Sequence, residues 1–519
     1  MPCHHLPPSK PRWLAGFLLS AALAGCVATI HPGDIPRVPS AALRPVEGSS
    51  LGRIFAAPID GRDSLFAPLD RGDAGFDVRL ALATAAESSI DAQSYLWHED
   101  GCGSLLLDRL MDAADRGVRV RLLIDGFRLE GNQDLDGALD LHPNVEIRVF
   151  NPALHRGGIW KALELAENLE RLDHRMHNKL FVVDGVAGIH GGRNVGDEYF
   201  GLGEEADLRD FDLLAAGPVL EGLSNSFDEF WNGPFTVPLG ALAAKAAAGS
   251  RDPMHASARS TLRGLHAQDQ RLEARRAYTK DDWLGALQRA RDQMLPGRAQ
   301  VLHDAADLAA EGATTILGRA FENAMDSNNG DVLIVTAYLV PDETLLQHVR
   351  AHVASGERVR ILTNSFVSTN QPLVHAYYAA ARPALLAAGA ELYELRGDAW
   401  SHVHHRSPGS RARKLGLHAK SAVFGDSHVL VGSLNLDPRS MELNTELGVL
   451  IESAELAKVV RTSLERELES RNAWRVQRSE DGGLRWTTQG LELNEEPNVG
   501  AGEHAREWFL RLLPLKGEV

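Results

Sequence analysis

The chain is short of cysteine, of aromatic side chains and of positive charge. Three cysteines occur in 519 residues, and two of them, Cys3 and Cys26, fall in the first 26 positions. Only Cys102 is left for the body, which excludes an intrachain disulfide there and leaves stability to a hydrophobic core. Aromatic residues make up 6% beside 48 glycines, a balance that points to an α/β fold rather than an all-β sandwich. Lysine and arginine number 54 against 70 aspartates and glutamates, a formal charge of -16. The basic surplus that a nucleic-acid backbone favours is therefore missing, and no nucleic-acid partner is expected. Beyond the N-terminus no apolar run is long enough to span a bilayer. With 44% hydrophobic and 24% charged residues, disorder, collagen and a coiled-coil rod are excluded. The length suits about two to four domains.

The first residues read as a targeting segment. Lys10 and Arg12 precede an apolar run over 13–23, too short for a comfortable membrane span and suited to a signal-peptide core. The run ends in Leu23-Ala24-Gly25-Cys26, which resembles the bacterial lipoprotein box. The resemblance implies a signal peptide over 1–25 and lipidation of Cys26. The body would then be anchored in the cell envelope, facing the periplasm and held at a membrane surface. The residue after the cysteine is Val27 rather than Asp, which in the lipoprotein sorting pattern favours the outer membrane over the inner. Residues 26–60, rich in Pro and Gly, read as a tether.

The rest repeats itself once. Residues 89–96 and 118–125 read as strands around an amphipathic helix over 104–116, a βαβ unit. The same order recurs over 332–338, 344–355 and 358–363. Tyr95 and Tyr338 are 243 positions apart, and Asp125 and Asn364 are 239 apart. Two similar α/β halves are expected over 61–240 and 326–470. A helical connector is expected over 241–325 and a tail over 471–519. The tail carries Trp474, Trp486 and an amphipathic stretch over 503–513 that suits either a packed helix or membrane contact.

Within the repeat lies a matched set of polar residues. His177, Lys179, Asp184, Gly191 and Asn194 in the first half correspond to His418, Lys420, Gly432 and Asn435 in the second. His to Lys is 2, His to Gly 14 and His to Asn 17 in both copies. Strand period 2 puts each His and its Lys on one face. If the halves pack about a pseudo-two-fold axis, two imidazoles and two ammoniums converge. One neutral imidazole can attack phosphorus while the other protonates a leaving alkoxide. The lysines and asparagines supply charge and donors to non-bridging phosphate oxygens. A Lys beside each His argues against metal ligation, and no cofactor is called for.

This doubled HxKxxxxD with a trailing GxxN resembles the signature of the phospholipase D superfamily. The stretches 191–200, 210–214, 217–219, 432–440 and 443–446 narrow the resemblance to bacterial cardiolipin synthases of the C type, as does the Leu512-Leu513-Pro514-Leu515 ending. It covers roughly residues 60–519. The resemblance implies an α/β fold of two pseudo-symmetric halves, each a mixed, mostly parallel sheet flanked by helices, with the active site between them. It implies metal-free phosphatidyl transfer through a phosphohistidine, with His177 as nucleophile and His418 as acid and then base, although the pseudo-symmetry allows the reverse. Asp212 and Glu446 are the carboxylates expected to orient the two imidazoles. The sequence departs from the pattern at one place: the second motif has Gly425 where an Asp is expected, and Asp426 follows as a candidate substitute.

Several residues keep a plainer reading. Asp184 suits a turn as well as the site. Asn194 and Asn435 are read as phosphate-side residues rather than loop caps. His402, His404 and His405 read as solvated loop histidines, because no Cys or carboxylate sits at ligand spacing. Arg411, Arg413 and Lys414 suit either steering of anionic head groups or a charged loop. The Gly101-Cys102-Gly103 turn reads as structural. Phospholipids such as phosphatidylglycerol are the expected substrates, and the doubled motif lets one chain hold a complete site as a monomer. Four functions follow: a cardiolipin synthase-like phosphatidyltransferase, a hydrolase releasing phosphatidic acid, a nuclease, and an inactive lipid-binding lipoprotein. The acidic balance and the lack of a basic aromatic stripe disfavour the nuclease.

Overall fold

The computed structural model describes residues 31–56, 61, 63–126, 139–154, 168–242, 251–307 and 315–499, together with 502 and 510. The signal segment, Cys26, nearly all of the amphipathic stretch 503–513 and the 512–515 ending lie outside these residues.

The first half contributes strands β1 (Ser64–Leu69), β2 (Ser89–Ser94), β3 (Arg119–Asp125), β4 (Val145–Phe150), β5 (Leu180–Val183), β6 (Ala187–Gly191), β7 (Ala206–Arg209), β8 (Asp212–Ala216) and β9 (Thr236–Pro238). The second contributes β10 (Leu295–His303), β11 (Val332–Thr336), β12 (Val359–Asn364), β13 (Glu391–Leu395), β14 (Lys414–Leu417), β15 (Lys420–Phe424), β16 (His428–Gly432) and β17 (Leu447–Glu452). It is extended by β18 (Ala473–Arg478), β19 (Leu484–Thr488) and β20 (Leu491–Leu493). In the first half β2, β3 and β4 pair in parallel, while β5, β6, β8 and β1 follow antiparallel beyond β2. The second half repeats this order through β11, β12 and β13 and then β15, β16, β17 and β10. β1 pairs with β10, so the two sheets run into one another edge to edge. β7 and β14 form a separate parallel pair that crosses between the halves.

Helices α1 (Gly72–Ala85), α2 (Gly101–Asp115) and α3 (Val219–Asn232) cover the first sheet, and α6 (Ile316–Ser327), α7 (Glu343–Ala354), α8 (Pro372–Ala388) and α9 (Ala454–Glu467) the second. Asp100 and Asp342, at equivalent positions, cap α2 and α7 by accepting the N–H of Gly103 and Leu345. Between the halves, α4 (Arg251–Ala267) and α5 (Lys280–Arg291) pack on α2 and α1. The helical connector expected over 241–325 therefore stops near Arg291: β10 and α6, within the same range, belong to the second sheet and its cover. The tail expected from 471 is likewise not separate, since β18 extends the sheet beside β13 and buries Trp474 and Trp486.

One apolar cluster joins the halves. Leu180, Val182, Leu213 and Ala215 lie in it with Val423, Val429, Val431, Leu447 and Val449, all buried. Each of these leucines and valines stabilises the packed state by about 1.5–3 kcal/mol relative to exposure. Residues 37–46 run down the first sheet from its upper end. Arg37 donates to Thr236 O, Arg148 to Val38 O and Arg121 to Ser40 O, and Val46 N reaches Asp184 O at the lower end.

Candidate active site

Both motif histidines stand at the carboxyl ends of the parallel strands, just before β5 and β15. Each is paired through its backbone to the other half. His177 N donates to Thr445 O at 2.9 Å, and His418 N donates to Arg209 O at 2.7 Å. The acceptors immediately precede Glu446 and Asp210. Those two carboxylates then take the imidazoles. His177 Nδ1 lies 2.9 Å from Glu446 Oε2, and His418 Nδ1 lies 2.5 Å from Asp210 Oδ2. An ionised carboxylate only accepts, so Nδ1 carries the proton and Nε2 keeps its lone pair. Each imidazole is thus oriented by the opposite half.

Lys179 and Lys420 are buried beside them, each donating Nζ to the carbonyl of its own histidine. Tyr95 stands edge-on to His177 with ring centroids 5.2 Å apart, and Tyr199 and Tyr338 approach His418 at 5.2 and 6.5 Å. Burial, with both lysines adding, pushes the His177 pKa well below its ordinary value; the same causes take His418 to about 3. Each lysine acts on both imidazoles, so the four groups form one constellation. Burial lowers both lysines, Lys420 to about 8. Glu446 is pushed up by burial to about 7, against the pull of Lys179. Burial would raise Asp210 too, but His418, Lys420 and Arg193 outweigh it and hold it at about 2.

The structure corrects four sequence-based expectations. Asp212 does not orient an imidazole: its carboxylate meets Arg79 at 3.0 Å and Arg193 at 2.7 Å. The strand register gives the reason. Gly191 faces Asp212 across β6 and β8, and Gly432 faces Gly448 across β16 and β17. Two residues before each partner stand Asp210 and Glu446, so Asp210 is the equivalent of Glu446. Asp184 does not reach the constellation either. It sits at the far end of β5 with φ +53° and accepts the N–H groups of Glu87, Ser88 and Ser89. Its counterpart Gly425 has φ +51°, and a Cβ there would lie 2.4 Å from Asn329 O. In that half Glu357 takes the N–H of Gly330 instead, at 2.6 Å, and Asp426 is exposed. The departure at Gly425 therefore lies away from the histidines. Lastly, His402 and His405 are not solvated: both are buried, with Nε2 2.8 Å from Asp207 and Glu467 respectively.

Asn194 donates to Tyr199 Oη at 3.0 Å and so holds that ring against His418. Asn435 is buried, and its Oδ1 has no hydrogen-bond partner among the described residues. Sequence reasoning missed two further residues. Ser433 donates to Glu446, and Asp304 Oδ2 accepts Glu446 N at 2.9 Å. Nothing in the motif arithmetic marks Asp304, which comes from the end of β10. Outside the constellation, His98, Asp100 and Glu198 offer ligand atoms within 4.8 Å of one another, at the start of α2.

A family model described as cardiolipin synthase, PLD-like domain, matches twice, over residues 80–231 and 321–468. The chain belongs to the phospholipase D superfamily. The two matches fall on the two halves, and the chain is a phosphatidyltransferase or phosphodiesterase of that superfamily. It is 32% identical over 467 residues to cardiolipin synthase C of Escherichia coli (strain K12), covering 88% of this chain and 96% of that protein. It is 26% identical over 448 residues to cardiolipin synthase A of Pseudomonas entomophila (strain L48), covering 82% and 74%. The phosphatidylserine synthase of Haemophilus influenzae Rd KW20 has the same fold, with a TM-score of 0.57, 14% identity, and coverage of 91% of this chain and 99% of that one. Among the described residues of this phospholipase D superfamily enzyme, no helix is long and apolar enough to cross a membrane.

Proposed function

We propose that the enzyme transfers a phosphatidyl group from one phospholipid to the hydroxyl of another, as a cardiolipin synthase does, through a phosphohistidine. The reading rests on the crossed imidazole–carboxylate pairs with a lysine beside each histidine. His177 Nε2 attacks the phosphorus of phosphatidylglycerol, and the bond to the departing glycerol oxygen breaks. His418, protonated at Nε2, gives that oxygen its proton and becomes neutral. It then takes the proton from the hydroxyl of a second phosphatidylglycerol, which attacks the phosphorus and frees His177, and cardiolipin leaves. Asp210 is the better ionised of the two carboxylates and supports the imidazolium form, in keeping with His418 as the acid. Lys179 and Lys420 take the phosphate charge, and that charge offsets their push on His418, so proton uptake accompanies substrate binding.

Lipidation at Cys26 would hold this site at the membrane of its substrate, with the outer membrane favoured by Val27. Incubating purified protein with labelled phosphatidylglycerol tests the reaction. Cardiolipin and glycerol are the expected products; accumulation of phosphatidic acid without cardiolipin makes the enzyme a hydrolase. Labelled palmitate incorporated in the wild type and absent from Cys26→Ser tests the anchor.

A further inference from the structure

Tyr199 lies five residues after Asn194, in the short turn Asp197–Phe200. Its ring stands edge-on to the His418 imidazole, with centroids 5.2 Å apart, and only 3% of the residue is exposed. The hydrogen bonds around its hydroxyl settle which atom donates. Leu96 N donates to Asn194 Oδ1 at 3.3 Å, so the other end of that amide, Nδ2, faces Tyr199. An amide NH2 only donates, and Tyr199 Oη, 3.0 Å away, therefore accepts. The phenol's own hydrogen is left over, and no acceptor for it stands among the described residues. A buried hydroxyl normally has a partner for its hydrogen. Burial, and Glu198 after it, push the phenol pKa well above its ordinary value, so that hydrogen stays in place.

The residue is also held still. Arg193 Nε donates to Tyr199 O at 3.0 Å while its Nη1 meets Asp212 at 2.7 Å, and Phe200 stacks on Phe76 with centroids 4.7 Å apart. The other half has no such donor at the equivalent position. Five residues after Asn435 comes Ser440, whose side chain bonds to Glu446. Tyr338, which also approaches His418, gives its hydrogen to Asn370 Oδ1 at 2.8 Å. A fixed, buried and unspent donor therefore stands at one histidine of the pair.

We propose that Tyr199 Oη donates a hydrogen bond to an oxygen of the substrate phosphodiester on the side of His418, which makes Tyr199 a catalytic residue. No proton leaves the phenol. His418 gives and takes back the proton of the alcohol, while Tyr199 holds an oxygen on which negative charge gathers. The inference rests on the phosphodiester-transfer reading above and adds a neutral donor to the two lysines.

The test is Tyr199→Phe in the full chain, which keeps the ring and removes the O–H. It is assayed on phosphatidylglycerol and on the phosphatidyl ester of p-nitrophenol, whose oxygen leaves without a proton. On phosphatidylglycerol kcat is expected to fall about 10²-fold with KM little changed. A loss that shrinks to a few-fold in the first-turnover release of nitrophenolate upholds the proposal and makes the departing oxygen the acceptor. An equal loss on both substrates upholds it and makes a non-bridging oxygen the acceptor. A kcat within about twofold of wild type overturns it, as does a loss seen in Tyr199→Leu but not in Tyr199→Phe, which leaves the ring with a packing role alone. A pH profile displaced rather than lowered means that the residue acts through the His418 proton, and it overturns the proposal too. Thermal melting reports whether the variant folds. If it does not, 3-fluorotyrosine at position 199 keeps the bond to Asn194 and makes the O–H a stronger donor. The rate on phosphatidylglycerol is then expected to rise a few-fold at neutral pH, and an unchanged rate overturns the proposal. Phosphatidic acid as the wild-type product, with the Tyr199→Phe loss intact, overturns the transferase reading and leaves the donor standing.

Discussion

In one half His177 leans on Glu446, which burial pushes up to about 7; in the other His418 leans on Asp210, held at about 2. The backbones around the two pairs are near copies, down to the hydrogen bond each histidine makes across the interface. The difference lies in side-chain length and in one neighbour. Ser433 donates to Glu446, whereas its counterpart Gly192 leaves room beside Asp210, where a Cβ would sit 2.4 Å from Oδ1. A duplicated fold thus carries two unlike proton sites. On the proposed roles, one carboxylate near neutrality suits a nucleophile that stays neutral, and one firmly ionised suits a histidine that must carry a proton.

The sharpest way to break this comparison is to remove each imidazole. His177→Ala is expected to lower transfer by about 10⁴–10⁶ and to yield no covalent adduct. His418→Ala is expected to cost about 10²–10⁴ yet to accumulate a phosphatidyl adduct on His177 with a donor whose leaving group needs no proton. Intact-mass and peptide mass spectrometry read this directly, and an adduct on His418 would exchange the two roles. Next in size, Asp210→Asn is expected to lower kcat/KM by about 10²–10⁴ at neutral pH. Glu446→Gln is expected to cost less, and progressively less below pH 7, where the wild-type Glu446 is itself protonated. In the wild type the rate then falls as pH drops through about 7, and falls again above about 8 as Lys420 loses its charge. A pH profile of all three enzymes checks this.

Legibility followed period and spacing. The two histidines, the two lysines and Glu446 stand at one place because strand period 2 and a repeated count fix which face they share. The second carboxylate did not follow from a count, because the loop before β8 differs in length from the loop before β17. The sequence pointed to Asp212, and only the pairing of Gly191 with it sets the register that makes Asp210 the equivalent of Glu446. His402 and His405 were misread because their acceptors, Asp207 and Glu467, are 195 and 62 residues away in sequence. Local composition carries no information on such partners. Asp184 and Gly425 show the converse: a position inside a signature serves the strand's far end, and its work passes to Glu357 in one half.

That last pair offers smaller tests. Asp184→Gly removes a carboxylate that accepts three backbone N–H groups and is expected to destabilise the fold by about 2–3 kcal/mol. Gly425→Asp, forced to φ +51° against Asn329 O, is expected to cost about 1–3 kcal/mol. Thermal melting reads both, with kcat of the folded fraction unchanged. The smallest effect concerns acid. His177 and His418 have folded pKa values below their ordinary 6.5, so the unfolded chain binds more protons just under that value. Stability is expected to fall as pH drops below 6.5, by about 1 kcal/mol per imidazole over the first unit. Urea titrations at stepped pH check it, and His418→Asn should remove one share.

Because each motif imidazole borrows its carboxylate from across the seam, neither half holds a complete imidazole–carboxylate pair by itself. On the proposed mechanism, any breathing of the seam would silence the nucleophile and the acid together. On that mechanism partial assembly would be inert rather than leaky, since a lone half would have no means of making a phosphoenzyme that only water could discharge.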